Sequence, residues 1–407
     1  MKNVLISGAS VAGPALAHWL RRHGFAPTVV ERAPAPRPGG QAIDLRGAAR
    51  TVIERMGLLD AVRAAHTGVR GMAGVNEAGR RVVEFPAEAL GDSGGIIAEL
   101  EILRGDLVGL LVGAAQDGVE YLFDDTITSL TEHAGGVEVT FAKAGTRTFD
   151  LVVGADGLHS NVRALAFGPE ELFVTDLGYQ LAIFGLDAPD SLDDWQLMLN
   201  LPAANGVGGR MASLYPTPHG ARGYLYFVTP PMPRTGFSGH HRQPLSGQKQ
   251  AVADAFAGAG WEVPHLLRGM WAADDFFTDR AAKVRVDGWS RGRAVLLGDA
   301  AFGGSVGMGT SMALVGAYVL AGELAAAGGD HRVAFAAYEA KLGDYVRENQ
   351  RPMPGGTRAF LPSSALGIRL RNGITRAMLA GPWRKLLTGG MQEKSESVEL
   401  ADYGVVV

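Results

Sequence analysis

The sequence predicts an α/β protein with two interleaved domains, in which an antiparallel β-sheet is inserted into a mostly parallel sheet covered by helices. The chain has 407 residues, which is more than one hydrophobic core usually serves. Short apolar runs at 3–6, 149–153 and 294–297 are each followed by glycine and then by a predicted helix, as in parallel strands of α/β folds. Strand-like runs at 179–186, 195–199, 210–215 and 222–228 follow one another without helices, as in an antiparallel sheet.

The first 31 residues carry the order typical of a dinucleotide-binding unit. A strand at 3–6, a glycine-rich turn, a helix at 14–23 and a strand at 28–30 lead to Glu31. Glu31 follows Gly13 at close to the ~20 residues expected for a carboxylate that binds a ribose hydroxyl. Serine stands at the middle glycine position, and a plain αβ turn is the alternative interpretation. The candidate phosphate-binding residues of the turn are Gly8, Ser10, Val11, Ala12 and Gly13.

Two later strands also end beside an aspartate. Asp156 follows the run 149–153, and Asp299 follows the run 294–297 and precedes a glycine-rich loop and an apolar helix over 312–324. Ligands of open α/β sheets bind at the carboxyl ends of the strands, so the three elements are predicted to converge on one extended, polyhydroxylated ligand. Each motif alone is also compatible with an ordinary loop and a capping aspartate.

Composition narrows the classes of function. The net charge is −4 without a basic block, which argues against a nucleic-acid partner. The absence of cysteine excludes disulfides and thiolate metal sites, and His240 and His241 have no further ligand at metal-binding spacing. With neither a secretory signal nor an apolar run of ~20 residues, we expect a cytoplasmic protein without a membrane span. A monomer or homodimer with a small-molecule substrate is expected.

The antiparallel region is predicted to form the substrate domain. We place it at 69–98 and 171–282, between cofactor-domain segments at 1–68, 99–170 and 283–350, with a C-terminal helical segment and tail at 351–407. Alternating apolar residues of such strands are more often core than pocket lining. The candidate substrate-contacting residues are Tyr179, Phe184, Met198, Met211, Tyr215, Tyr224 and Tyr226.

Three motifs in this order resemble those of the class A flavin-dependent aromatic monooxygenases, typified by p-hydroxybenzoate hydroxylase. They are Gly8-x-Ser10-x-x-Gly13 with Glu31, Asp156-Gly157 with Ser160 and Arg163, and Gly298-Asp299. The chain looks most similar to the branch of tetracycline-modifying and polyketide-tailoring enzymes, over roughly residues 2–348. The resemblance implies a Rossmann-like FAD-binding domain of the GR2 type, an inserted antiparallel β-sheet substrate domain and a C-terminal helix.

The resemblance also implies roles for individual residues. Residues 10–14 would hold the FAD pyrophosphate, Glu31 the adenosine ribose, and Arg32 would lie beside the adenine. Asp44 would lie near the flavin, and Arg104 would contact the phosphate or ribityl region. Asp156 and Arg163 belong to a motif linked to FAD and NAD(P)H. The remaining cofactor-binding candidates, at the ribityl chain and the isoalloxazine edge, are Gly298, Asp299, Gly307, Met308, Gly309 and Thr310.

The implied reaction is hydroxylation of an aromatic or polyketide-like molecule through a flavin 4a-hydroperoxide, with NAD(P)H as co-substrate and no side-chain nucleophile. One departure bears on it: the stretch 302–306 lacks the proline usual in the family, and the loop is about two residues shorter. Two alternatives therefore stay open, a flavoenzyme without oxygen transfer (a cyclase, isomerase or oxidase) and a non-enzymatic FAD-binding protein.

Overall fold

The fold is a two-domain α/β architecture, described from a computed structural model over residues 2–87, 100–190, 192–230, 244–304, 307–351, 355–380 and 397–404. His240, His241 and loop positions 305–306 lie outside these ranges. The strands are β1 (Asn3–Ser7), β2 (Ala26–Glu31), β3 (Ala42–Asp44), β4 (Gly71–Val75), β5 (Arg81–Pro86), β6 (Glu101–Leu103), β7 (Glu120–Phe123), β8 (Ile127–His133), β9 (Gly136–Phe141), β10 (Thr146–Phe149), β11 (Leu151–Gly154), β12 (Val174–Leu186), β13 (Trp195–Leu201), β14 (Arg210–Thr217), β15 (Gly220–Val228), β16 (Phe277–Val284), β17 (Ser290–Arg291) and β18 (Ala294–Leu296). The helices are α1 (Ala12–Arg22), α2 (Ala48–Arg55), α3 (Leu59–Ala64), α4 (Arg104–Ala115), α5 (Asn161–Ala166), α6 (Leu245–Ala255), α7 (Val263–Ala272), α8 (Asp299–Phe302), α9 (Gly309–Ala326), α10 (His331–Asn349), α11 (Gly356–Phe360) and α12 (Ala365–Ala380).

The first domain is built on a six-stranded sheet in the order β17-β18-β11-β1-β2-β7. All neighbours are parallel except the β17–β18 pair at one edge. The central strands read as continuous apolar runs because helices cover both faces. Since the strands are parallel and in register, their carboxyl ends, at Ser7, Glu31, Gly154 and Leu296, meet at one edge of the sheet. The predicted α/β fold class is confirmed.

Helix α9 is the central helix of this domain. Fourteen of its 18 residues are buried, which explains why its sequence is apolar on every face. Among the described residues it is the one helix long and apolar enough to cross a membrane, but such helices also form the cores of soluble proteins, and this one packs against α1 and α10.

The second sheet has seven strands in the order β16-β12-β15-β14-β13-β4-β5. The sheet was predicted to be antiparallel, but one pair departs from this prediction, because β4 pairs with β13 in parallel. The reason is the order of the strands along the chain. The hairpin of β4 and β5 comes earlier in the sequence than the other strands of this sheet, and β4 pairs with the free edge of β13. The strands thus come from 71–86 and 174–284, and the domain boundaries predicted at 69–98 and 171–282 stay predictions.

The two faces of this sheet have different neighbours. One face packs with α6 and α7 around a closed core that includes Ala182, Leu214 and Leu225. The other face carries Ile183, Tyr215 and Tyr224, which form a smaller cluster. Because side chains alternate along a strand, each strand contributes to both faces.

The C-terminal region returns to both domains. Helix α12 contacts β5 and β13 of the second sheet. Residues 397–404 pack on the first domain, where the phenol of Tyr403 donates to Glu323 Oε1 at 2.6 Å. The Tyr403 ring fills a notch at Gly322, since a Cβ on that glycine would lie 2.2 Å from the ring. This part of the tail is therefore docked on the first domain.

Candidate cofactor and substrate site

The turn between β1 and α1 has the close backbone packing that a pyrophosphate site requires. Gly8 adopts a positive φ of 106°, and a Cβ on it would lie 2.5 Å from the Ala155 carbonyl oxygen. A Cβ on Gly13 would lie 1.9 Å from the Gly8 carbonyl oxygen. Helix α1 begins without a side-chain cap or an acidic residue in its first turn, so its free N–H groups are available to an anion.

Glu31 lies directly beside this turn. Its Oε2 accepts a hydrogen bond from the Ala9 N–H at 2.8 Å, and its Oε1 accepts one from the Ala33 N–H at 2.9 Å. Arg32 is exposed next to it. The carboxylate is thus fixed at the end of β2 where a ribose would lie, and the assignments of Glu31 and Arg32 to the adenosine stay predictions.

Arg104 connects the motifs. Its Nη2 donates to Ser10 Oγ at 2.6 Å, which places the guanidinium over the glycine-rich turn. Burial lowers the pKa of Arg104, and the charges of Asp299 and Glu31 oppose that shift while Arg37 adds to it. The carboxylates at the ends of β2 and β18 therefore act on one guanidinium, and the structure brings the first and third sequence motifs together.

Asp299 faces an open cleft. Many protein atoms surround its side chain, yet the residue is exposed to solvent. Burial raises the pKa of its carboxyl group, and the Arg104 charge opposes that rise. No hydrogen-bond donor among the described residues reaches the carboxylate, whose Oδ1 lies 3.6 Å from where a Cβ on Gly309 would be. A carboxylate left without a protein donor in such a cleft fits a ligand hydroxyl.

The start of α9 follows the glycine-rich loop after Asp299. Gly307 has a positive φ of 74°, Met308 is buried, and Gly309 begins a helix of 18 residues. This helix has neither a side-chain cap nor an acidic residue in its first turn. Its first N–H groups, near Thr310, are therefore free to face an anionic ring edge.

Asp156 is engaged within the protein. Its carboxylate accepts hydrogen bonds from Ser7 Oγ at 3.0 Å, from the Asn161 N–H at 3.0 Å, from the Val162 N–H at 3.1 Å and from the Ser160 hydroxyl. These contacts tie the start of α5 to the end of β1. A direct contact of Asp156 with a cofactor stays a prediction.

Arg163 is fully buried behind the same motif. Its Nη1 donates to the Ala300 carbonyl oxygen at 3.0 Å, and its Nη2 donates to the Leu158 carbonyl oxygen at 2.6 Å. Because Ala300 follows Asp299, Arg163 positions the segment that carries the free carboxylate.

Next to Arg163, His159 links the two domains. Its ring nitrogens lie 3.0 Å from a Glu170 carboxylate oxygen and 3.1 Å from an Asp279 carboxylate oxygen. Burial favours the neutral ring, but the hydrogen bonds and charges of Asp279 and Glu170 outweigh it and raise the pKa of His159 to about 9.

Asp44 lies beside another carboxyl group, that of Glu101. Its Oδ2 forms a 2.7 Å ion pair with Arg46 Nη2, and Asp44 is the cross-strand neighbour of Glu101 in the β3–β6 pair. Glu101 is buried, and its carboxylate accepts hydrogen bonds from Tyr215 and Thr67. Burial and the Asp44 charge raise the pKa of Glu101 to about 7 against those hydrogen bonds. Glu101 was not predicted from the sequence, because a buried carboxyl group in a short apolar strand has no local signature.

The candidate substrate residues share one face of the seven-stranded sheet, with one exception. Tyr224 stacks on Tyr226 at 6.3 Å between ring centroids, and Tyr226 and Tyr179 remain partly exposed on the side opposite α6 and α7. The alternation of the strands places Met198, Met211 and Tyr215 on this same face.

Phe184 is the exception, and its assignment to the pocket is corrected. Its side chain is fully buried in the closed core beneath α7, where it stacks on Phe276 at 6.5 Å. It lies on the opposite face because it follows Ile183 by one residue, and a shift of one position along a strand reverses the side.

Phe360 is a pocket residue that the sequence did not reveal. It lies at the end of α11, and its ring contacts those of Tyr226 at 5.4 Å and Tyr179 at 5.8 Å. The Phe360 carbonyl oxygen accepts from Asn200 Nδ2 at 3.3 Å. A short helix far along the chain gives no indication of which sheet it will cover.

Comparison with known proteins agrees with this geometry. The profile of the family described as "FAD binding domain" matches residues 1–340. A flavin-dependent monooxygenase from an unknown prokaryotic organism is 36% identical over 99% of this chain and 99% of its own. An uncharacterised protein of Mycobacterium tuberculosis is 45% identical over 88% of this chain and 95% of its own. The crystal structure of the tetracycline destructase Tet(55) matches with a TM-score of 0.78 and 34% identity, over 99% of both chains.

Proposed function

Because this chain belongs to the FAD-binding domain family, and within it to the flavin-dependent monooxygenases, we propose that it uses NAD(P)H and dioxygen to hydroxylate an aromatic or polyketide-like small molecule. FAD binding and membership of the class A enzymes are the parts that the relatives establish. The co-substrate, the reaction course and the substrate class are proposals. We also propose a cytoplasmic protein that acts as a monomer or homodimer.

The observation that carries the proposal is the Asp299 carboxylate, which has no donor among the described residues and lies at the edge where β1, β2 and β18 end. It is oriented by Arg163 through Ala300, and it shares the cleft with Arg104, which reaches the glycine-rich turn. In this arrangement the turn holds the pyrophosphate and Asp299 accepts from ribityl hydroxyl groups.

When bound, FAD supplies the redox chemistry, accepting a hydride from NAD(P)H and, with dioxygen, providing an electrophilic oxygen. The chain's own residues orient the cofactor and the substrate and shield them from water. The N–H groups at the start of α9 stabilise negative charge at the ring edge, as helix N-termini do. The Gly307 turn lets the backbone approach closely. The face that carries Tyr226 and Tyr179 excludes water and offers aromatic surfaces to a planar substrate.

The similarity to a tetracycline destructase supports a substrate of the polycyclic, polyketide-like class. The clustering of Tyr179, Tyr224, Tyr226 and Phe360 on one face supports the same class, because stacked rings bind planar aromatic molecules well. Three methionine side chains nearby, from Met72, Met198 and Met211, add an adaptable apolar surface.

The test is an oxygen-consumption assay on the FAD-loaded protein with NADPH or NADH and a panel of polycyclic phenols and tetracyclines. We expect substrate-stimulated oxidation of the reduced nicotinamide and incorporation of one atom from ¹⁸O₂ into the product. Conversion without incorporation of labelled oxygen would favour the alternative, a flavoenzyme that has lost oxygen transfer. A protein that binds FAD but converts none of these compounds would be a non-enzymatic FAD-binding protein.

A further inference from the structure

Helix α12 presents one polar stripe to the sheet face that carries the candidate pocket. It contacts β5 and β13, and Arg371 on it reaches Asn200, whose side chain lies on the same face as that of Met198. Arg371, Asn372 and Thr375 on this stripe are only half-buried. The Arg371 side chain is thus held against this face while part of it stays accessible to solvent.

The guanidinium of Arg371 has neutral partners. Its Nη2 donates to Asn200 Oδ1 at 2.8 Å and to Asn372 Oδ1 at 2.8 Å, and its Nη1 donates to the Phe360 carbonyl oxygen at 3.3 Å. Burial lowers its pKa, and no carboxylate among the described residues offsets that shift. These contacts hold the group in place without neutralising its charge.

Two other charged side chains described on this face have partners of opposite charge. Arg222 forms an ion pair with Asp275, and Asp279 lies 3.1 Å from a ring nitrogen of His159. Arg371 is different, because its described partners are neutral and its side chain is partly withdrawn from water. An anion that approached its accessible side would gain a charge-assisted hydrogen bond that full exposure to water would weaken.

We propose that Arg371 determines specificity by binding an ionised acidic group of the substrate, a carboxylate or an ionised enol or phenol. The inference rests on the proposed function, because it assumes that the substrate lies against Tyr179 and Tyr226. Phe360 joins the two parts: its ring contacts both tyrosines, and its carbonyl oxygen accepts from Arg371. The aromatic part of the ligand thus lies on the rings, and its acidic edge points towards α12.

The test compares an acid with its uncharged amide on the FAD-loaded protein. The probes are 3-hydroxy-2-naphthoate and 3-hydroxy-2-naphthamide, and the dissociation constants come from the perturbation of the flavin absorbance spectrum. The wild type should bind the acid about tenfold more tightly than the amide. Arg371→Gln should bring the two constants within about twofold while leaving that of the amide unchanged. Arg371→Lys should keep part of the preference, and Arg369→Gln, on the exposed side of the same helix, should keep all of it.

The possible results separate the inference from the function on which it rests. An acid preference that survives in Arg371→Gln, or that is absent from the wild type, would overturn the role of Arg371 and leave the monooxygenase proposal standing. Equal weakening of acid and amide in Arg371→Gln would assign Arg371 a purely structural role and also overturn the inference. If neither probe binds to the FAD-loaded protein, the proposal of an aromatic substrate is contradicted, and so is the role of Arg371 that depends on it.

Discussion

Removing the carboxylate of Asp299 should weaken FAD binding without weakening the fold. This group has no hydrogen-bond donor among the described residues, and burial raises its pKa while the Arg104 charge only partly opposes that rise. A hydrogen bond from a ribityl hydroxyl to a charged acceptor contributes about 1.5–3 kcal/mol. Asp299→Ala should therefore raise the FAD dissociation constant by roughly 10- to 150-fold. Asp299→Asn keeps the shape of the side chain and loses its charge, so its FAD dissociation constant should lie between those of the wild type and Asp299→Ala.

The assay is titration of cofactor-free protein with FAD, followed by flavin fluorescence, with urea denaturation of the same samples. The free energy of unfolding of cofactor-free Asp299→Ala should change little, because the residue is solvent-exposed and its carboxylate makes no hydrogen bond with the described residues, so that mainly its attraction to Arg104 is lost. Asp60→Asn is the matched control, since its side chain is 98% exposed on α3. An FAD dissociation constant of Asp299→Ala within about threefold of the wild type would refute the role assigned to Asp299.

Three further predictions follow from local geometry. Gly13→Ala should abolish FAD retention or cost ~2 kcal/mol of stability, because its Cβ would lie 1.9 Å from the Gly8 carbonyl oxygen; a variant that stays yellow and equally stable in urea would contradict this. Since the pKa of Glu101 is raised from 4.5 to about 7, its ionisation destabilises the fold, and stability should fall as pH rises from about 4.5 to 7 and then level off. Glu101→Gln should remove that fall, which is about 3 kcal/mol at most, and an unchanged pH profile in urea denaturation would argue against it. The pKa of His159 is raised from 6.5 to about 9, so its stabilisation is complete below about pH 6.5 and is lost as pH rises through 9. His159→Gln should be less stable than the wild type at pH 6 and equal to it near pH 10, and a stability difference independent of pH would rule out an ionic role.

The cofactor-binding half was predictable because its signals are local. The spacing from Gly13 to Glu31 and the position of Asp299 after an apolar strand each define a strand end, and parallel strands bring their ends together. The predicted convergence is visible in Arg104, which is affected by both carboxylates. Asp156 shows the limit of this reasoning: the same pattern of strand, aspartate and glycine also suits a residue that caps α5.

The substrate half was only partly predictable because it depends on long-range packing. The alternation along β12 identifies two faces but not which one turns towards the cofactor domain, so Phe184 was placed on the wrong side. Phe360 and Arg371 reach the pocket from α11 and α12, more than 130 residues beyond the strands they contact. Tyr403 is similar, since the notch at Gly322 and the Glu323 carboxylate that receive it lie about 80 residues earlier in the chain.

The parallel pairing of β4 with β13 has a consequence for engineering. A fragment that begins at β12 and ends at β16 would leave one border of β13 without its hydrogen-bonding neighbour, and such a border invites aggregation. Chimeras that exchange substrate preference between relatives should therefore transplant the β4–β5 hairpin together with the later strands. Grafts that carry only the later segment should express poorly, even when every ligand-facing side chain has been transferred.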